Sequence, residues 1–307
     1  MDPIEAAKDL FFIERGFLSG NHFAYRADAP VLIDTAYASE LGKTKASLER
    51  LGIDWGRTRL IVNTHCHCDH VGANRVIQEA SGCEVALHPA GRGYVEKADR
   101  LATWWDYYDQ EAEFFDCARS LADGEILAVG PHELEVLHSP GHSADGIVLY
   151  HRREKALFSS DTLLEAGSTV ATLRLEGQDS VSAWLASLER IEALDVRVAF
   201  PGHGRPFSSI REAVARTKRR LEGYLTRPES VGDDLLKRIL VYTLLMRPRV
   251  GAAALFDRLM GTRWFPDTID TYFEGEYRRK YDEVLRGLLE RSIVRAEAGT
   301  LVATVKP

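Results

Sequence analysis

The stretch Asn63-Thr64-His65-Cys66-His67-Cys68-Asp69-His70 constrains this chain more than any other. Three imidazoles and one carboxylate fall between positions 65 and 70, directly after the apolar run Leu60-Ile61-Val62. Imidazole and carboxylate are ligands for borderline divalent metals such as zinc, and a loop leaving a buried strand gives them a rigid support with exposed donor atoms. As ordinary surface or core residues, the same cluster would leave several polar rings to satisfy at once. A metal site at a strand end is therefore the reading.

Three later segments repeat that grammar. Leu134 to His138 precedes Ser139-Pro140-Gly141-His142, Ala156 to Phe158 precedes Ser159-Ser160-Asp161, and Val196 to Phe200 precedes Pro201-Gly202-His203-Gly204. Each is an apolar run, a tight turn or small residues, and a metal-competent side chain. Sheets whose strands end on one edge bring such residues together from distant parts of a sequence. His142, Asp161 and His203 thus join His65, His67, Asp69 and His70 as candidate metal ligands. His22, His88, His132, His138 and His151 lack the turn context and are expected to be structural or surface residues. Cys66 and Cys68 form a C-x-C pair with no partner pair elsewhere, so they are expected to pack beneath the loop while the histidines point away.

The surrounding pattern is one of alternating strands and helices. Short strands are expected over Leu10 to Arg15, His22 to Arg26 and Pro30 to Asp34, then a helix over Ala38 to Leu51 and the buried strand Leu60 to Val62. A helix from Gly72 to about Ala80 and a strand from Glu84 to His88 follow, which is the alternation of layered α/β folds. Between Ala90 and Leu121, Leu101, Trp104, Trp105, Tyr108, Ala112 and Phe115 recur at helical spacing. The expectation is a helix whose aromatic face packs on the body or on a second copy of the chain in a homodimer, ahead of a flap over the metal site.

From Ser209 onward the pattern is helical, over Ile210 to Tyr224, Asp233 to Arg247, Gly251 to Met260 and Asp267 to Arg291, with a hairpin over Ser292 to Val305. The last helices and the hairpin have the outline of a winged helix. The expected division is a metal-bearing domain over 1–207 and a helical domain over 208–307.

Charge and composition narrow the partners. Residues 208–307 hold 19 Lys+Arg against 14 Asp+Glu, while 1–207 hold 20 against 32, a net of -12. That balance speaks against nonspecific nucleic-acid binding. No apolar run has the length of a membrane helix, Met1 to Leu10 does not read as a signal peptide, and the four cysteines give no disulfide framework. A cytoplasmic protein without a membrane partner is expected.

The motifs resemble a known family. His65-x-His67-x-Asp69-His70, Pro140-Gly141-His142-Ser143, Ser160-Asp161-Thr162-Leu163 and Pro201-Gly202-His203-Gly204 are similar, in order and context, to the ligand series of the metallo-β-lactamase superfamily. The likeness covers about Phe11 to Phe207. It implies an αβ/βα sandwich of two mixed sheets, with His65, His67 and His142 on one metal, Asp69, His70 and His203 on the other, and Asp161 between them. Asp69 and Asp161 would be the catalytic carboxylates. The two divalent metals would be zinc, with iron or manganese as alternatives.

An aspartate at position 161 resembles glyoxalase II, acyl-homoserine lactonases and related hydrolases, since true β-lactamases usually carry cysteine or serine there. Phe158 to Leu164 with Gly167 to Val170 is similar to the glyoxalase II-like, lactamase-like proteins that carry a C-terminal winged helix. Three features depart from that pattern: Ser160 in place of a glycine, Asp34-Thr35-Ala36 without its usual glycine, and a longer aromatic segment from Tyr94 to Phe115. The resemblance implies hydrolysis of an ester, thioester or lactone of a small acyl compound. A single-iron persulfide dioxygenase, a metal-dependent ribonuclease and a binding protein without turnover are the readings to be separated from it.

Overall fold

The computed structural model describes residues 2–305. Its first sheet runs in the order β1 (Ile4–Ala7), β2 (Leu10–Ile13), β3 (His22–Tyr25), β4 (Val31–Ile33), β5 (Leu60–Val62), β6 (Glu84–Leu87) and β7 (Arg119–Ser120). Strands β1 to β4 pair antiparallel in chain order. Strands β4 to β7 pair parallel, because each connection between them carries helical turns across the outer face. Those connections hold α1 (Leu41–Arg50), α2 (Cys68–Val71), α3 (Asn74–Ser81) and α4 (Pro89–Glu96).

The second sheet is made of β8 (Ile126–Val129), β9 (His132–His138), β10 (Ile147–His151), β11 (Ala156–Ser160) and β12 (Val198–Pro201), in the order β12-β11-β10-β9-β8. It is antiparallel except for the β11/β12 pair, which is joined through α5 (Leu173–Glu176) and α6 (Ser180–Glu192). Both sheets are mixed, as expected.

The strands alternate their faces, and that alternation builds three cores. Leu10, Phe12, Val31, Ile33, Leu60 and Val62 point inward to meet Leu134, Val136, Ile147, Leu149, Ala156 and Phe158 of the facing sheet. The intervening Ile13, Leu32 and Ile61 point outward onto the first set of helices. Leu137, Val148, Tyr150 and Leu157 do the same on the other side, beneath α6. Phe23 packs its ring 4.2 Å from Phe158, so the sheets touch through aromatics at the centre.

The third core continues into the C-terminal helices α7 (Ile210–Thr226), α8 (Glu229–Met246), α9 (Ala252–Met260), α10 (Trp264–Phe273) and α11 (Tyr277–Glu290). A small sheet of β13 (Val250–Gly251), β14 (Val294–Glu297) and β15 (Thr300–Ala303) follows the order β13-β15-β14. The single helix expected over Asp267 to Arg291 is two helices. Glu274 and Gly275 both take left-handed backbone, at φ 54° and 77°, and end α10.

The expected aromatic helix over Leu101 to Phe115 does not form. α4 ends at Glu96, and residues 99–118 run as turns and irregular chain. Trp104 and Asp109 adopt left-handed backbone, φ 67° and 54°, which no α-helix accommodates. Sequence reading also missed β1, an edge strand whose residues Ile4-Glu5-Ala6-Ala7 carry little apolar signal.

Candidate metal centre

The strands β5, β9, β11 and β12 end on one edge, and the turns and short helix α2 that follow them carry the seven candidate ligands. Donor atoms of His65, His67 and His142, of His65, His70 and Asp161, and of Asp69, His70 and His203 form three groups, each within 4.8 Å. All seven sequence-derived candidates are brought together. Cys66 and Cys68 are fully buried under the loop and belong to none of these groups, which matches their expected packing role.

The spacing within the cluster is that of ligands around shared cations. His67 Nδ1 lies 3.1 Å from His142 Nε2, and His142 Nε2 lies 3.4 Å from Asp161 Oδ2. His203 Nε2 is 3.1 Å from Asp69 Oδ2 and 3.7 Å from Asp161 Oδ2, while His70 Nε2 is 3.6 Å from Asp161 Oδ1. Ligands at ~2.0–2.1 Å on a tetrahedral ion stand about 3.3 Å from one another, the same range. Asp161 reaches His142 in one half and His203 and His70 in the other with its two oxygens, so its carboxylate spans both halves.

Four imidazoles are locked by the ring nitrogen that faces away from the cluster. His70 Nδ1 is 2.8 Å from Asp34 Oδ2, and His65 Nδ1 is 3.1 Å from Thr64 Oγ1. His142 Nδ1 meets Thr169 Oγ1 at 2.8 Å and the Val170 carbonyl at 3.0 Å, and His203 Nδ1 meets the Gly16 carbonyl at 3.3 Å. With Nδ1–H donating outward, the Nε2 lone pair of each ring faces the centre. The Nε2 atoms of His65 and His70 and Oδ1 of Asp161 are buried without a hydrogen-bond partner among the described residues. Buried polar atoms that converge without partners are the signature of a site built for a cation. The donor set therefore fits divalent metal.

The electrostatics agree. Burial opposes charge on His70, yet the carboxylates of Asp69, Asp34 and Asp161 outweigh it and hold the ring up at about 10. Burial also opposes the charge on Asp69, and His70 and His203 overcome it, keeping the carboxyl well below the usual range. His65 and His67 are pushed well below the ordinary histidine value, first by burial and then by neighbouring imidazoles. A positive charge among these groups is favoured next to Asp161 and Asp69, the charge that a divalent cation would supply in place of a proton.

Asp34 was missed by sequence reading. It accepts from the Thr64 backbone N–H at 2.8 Å and its hydroxyl at 2.7 Å, and so ties the metal loop to the end of β4. The signal was present, since Asp34 follows Val31-Leu32-Ile33 in the same grammar as the candidate ligands. Two departures from the family pattern explain themselves in the backbone. In the segment Asp34-Thr35-Ala36, Asp34 and Ala36 take positive φ, 60° and 64°, and so does Ser160, at 46°. Ser160 offsets part of that strain by donating to Thr64 Oγ1 at 2.8 Å. Gly20 and Gly202 are needed for clearance: a Cβ would lie 2.6 Å from His70 Cε1 at the first and 2.1 Å from Asp161 Oδ1 at the second.

The aromatic segment divides at the centre. The Trp104 ring stacks on His67 at 3.7 Å, and its Nε1–H donates to Glu176 at 2.7 Å. Trp105, the next residue, points away into the first helical layer against Phe114, at 4.2 Å. Trp104, Tyr108 and Gln110 line a cavity of about 280 Å³ that opens on His67, Asp69, His142, Asp161 and His203.

Residues 15–203 match the family model of the Metallo-beta-lactamase superfamily. The chain belongs to that superfamily. Within it, this member is 33% identical over 159 residues to a hydroxyacylglutathione hydrolase of Rhodospirillum rubrum, covering 52% of each chain. It is 31% identical over 176 residues to an acyl-coenzyme A thioesterase of Gallus gallus, covering 50% of this chain and 60% of that one. The chain spans about half the length of the curated relatives it matches. A solved metallo-beta-lactamase family protein of Thermus thermophilus shares the fold, with TM-score 0.62 and 21% identity over 97% of this chain and 99% of that one. This superfamily member has no helix among the described residues that is long and apolar enough to cross a membrane.

Proposed function

We propose that this chain is a dinuclear metal-dependent hydrolase that cleaves the carbonyl of a small acyl ester, thioester or lactone. The observation that carries the reading is the position of Asp161, whose carboxylate faces His142 of one set at 3.4 Å and His203 and His70 of the other at 3.7 and 3.6 Å. His65, His67 and His142 would hold one cation, and Asp69, His70 and His203 the second, with Asp161 shared. Zinc suits this imidazole and carboxylate set, with manganese and iron next. Two such cations supply Lewis acidity and a nucleophilic water at neutral pH.

The chain's own residues do the rest. Asp69 and Asp161 are the catalytic carboxylates. Asp69 stays ionised through neutral pH and faces the cavity, where it accepts a hydrogen bond from the attacking water and aims it at the carbonyl carbon. Asp34, Thr169 and Gly16 keep the imidazoles turned inward. The phenols of Tyr242 and Tyr108 are already engaged with the Leu18 carbonyl and the Thr172 hydroxyl, so solvent protonates the leaving group. The thioesterase relative supports an acyl substrate.

Residues 1–207 supply the donors in this scheme, and 208–307 form a helical, winged-helix-like cover. The α9, α10, α11, β14 and β15 order supports that reading of the cover. The apolar cavity and the net charge of -12 over 1–207 argue against a polyanionic strand as substrate. Rates on a thioester, a lactone and a short RNA, each with His142→Ala as control, test the assignment. RNA cleavage faster than both carbonyl substrates would make it a nuclease, and oxygen uptake with bound iron would make it a dioxygenase.

A further inference from the structure

The cavity over the metal centre is not shaped for a polar acyl group. Arg238, Val241, Tyr242 and Leu245 lie at helical spacing on one face of α8 and line it, together with Leu288 and Ile293. Trp104, Tyr108, Leu164 and Val170 add to the lining from the metal-bearing part of the chain. Apart from the metal donors, its polar groups are Gln110, Thr169, the cationic pair Lys237 and Arg238, and the phenols of Tyr108 and Tyr242 and the indole of Trp104, which are already hydrogen-bonded to Thr172, Leu18 and Glu176. Lys237 is exposed and makes no ion pair among the described residues, whereas Arg238 is held by Asp234 at 3.1 Å.

The volume separates candidate occupants. About 280 Å³ is close to the lower end of small-molecule sites, which run from ~300 to ~1,000 Å³. An acetyl or lactyl group leaves most of such an apolar space unfilled, and it gains nothing from burying a hydroxyl against Val241 and Leu245. A flexible hydrocarbon chain fills it.

Resting on the hydrolase reading above, we infer that the substrate class is a thioester or ester of a mid-length apolar acyl chain. The carbonyl is presented to the Asp161 centre and the chain lies between Trp104 and the Arg238-to-Leu245 face of α8. Water adds to the carbonyl carbon, the C–S or C–O bond breaks, and the leaving thiolate or alkoxide takes its proton from solvent as the carboxylate is released. Residues beyond position 207 thereby set chain-length specificity.

The test is a series of straight-chain acyl thioesters from acetyl to hexadecanoyl, assayed with the metal-loaded full chain. Each methylene buried is worth ~0.8 kcal/mol, so kcat/KM should rise about three- to fourfold per carbon until the cavity is full, then fall. Val241→Trp and Leu245→Trp narrow the cavity and should move the maximum to shorter chains, each checked for folding by its unfolding transition. Turnover that is highest on acetyl, or flat with length, overturns this inference while leaving the hydrolase reading intact. If no carbonyl substrate is cleaved, the hydrolase reading fails, and calorimetry with free carboxylates of the same lengths still decides the pocket. Affinity that climbs with length, with a negative heat-capacity change, supports an acyl site; affinity independent of length removes it.

Discussion

The metal loop at residues 63–70 and the aromatic segment at residues 99–118 lie side by side, yet only the first has the form its sequence suggested. In the loop, donors follow a buried strand directly, so the sheet edge dictates where they point. His65, His67, Asp69 and His70 all reach the cluster. In the aromatic segment, spacing alone put Trp104, Trp105, Tyr108 and Phe115 on one helical face. The chain instead turns at Trp104, φ 67°, sending that ring to His67 and Trp105 to Phe114. A strained backbone at a bulky residue persists only where surrounding contacts enforce it, and here the stack on His67 and the Glu176 bond do so. Periodicity reports local preference, whereas a strand end reports a position in the fold.

The largest expected effect tests the loop side. Asp161→Ala removes the one carboxylate common to both halves, so turnover should be abolished and metal content should fall, with the fold intact because the side chain lies at a strand end. Activity within about tenfold of the parent would show that the wrong ligands have been assigned. Next comes Asp34→Ala, which frees His70 Nδ1 and the Thr64 backbone. A loss of about 10- to 100-fold in metal affinity is expected, read by competition with a chelator. Unchanged affinity would demote Asp34 to a fold residue.

Most of the fold, and the clustering of the seven candidate donors, was legible for the reason just given. Apolar triplets such as Leu60 to Val62 and Val31 to Ile33 announce strands, and a following His or Asp announces an edge. What stayed hidden depended on partners distant in sequence. Trp104 meets Glu176 across a separation of 72 residues, and Asp34 meets His70 across 36. The break at Glu274-Gly275 was masked because apolar spacing continues through it, and β1 because its residues are half exposed.

Two further substitutions sharpen the contrast on the aromatic side. Trp104→Ala and Trp105→Ala each delete a buried ring and should each cost about 3–5 kcal/mol of stability in chemical denaturation. Only Trp104→Ala should also raise KM, since only that ring faces the cavity. Equal kinetic effects would mean the segment acts as one packing unit.

The smallest effect concerns Glu176. Burial, with Asp145 nearby, raises its carboxyl to about 7 against the pull of the Trp104 N–H. A raised carboxyl stabilises the fold fully below its ordinary value of 4.5, and that contribution is lost as pH rises toward 7. Relative to Glu176→Gln, the native protein should therefore lose thermal stability between about pH 4.5 and 7. Parallel melting profiles for the two proteins across that window would show that the carboxyl titrates normally.

The central claim is that seven side chains from four strand ends build a two-metal centre. Elemental analysis of the full chain, purified without chelators and then loaded with zinc or manganese, tests it most directly. The account predicts about two divalent metals per chain, because the donor set divides around Asp161. A content of one or less after loading would contradict it.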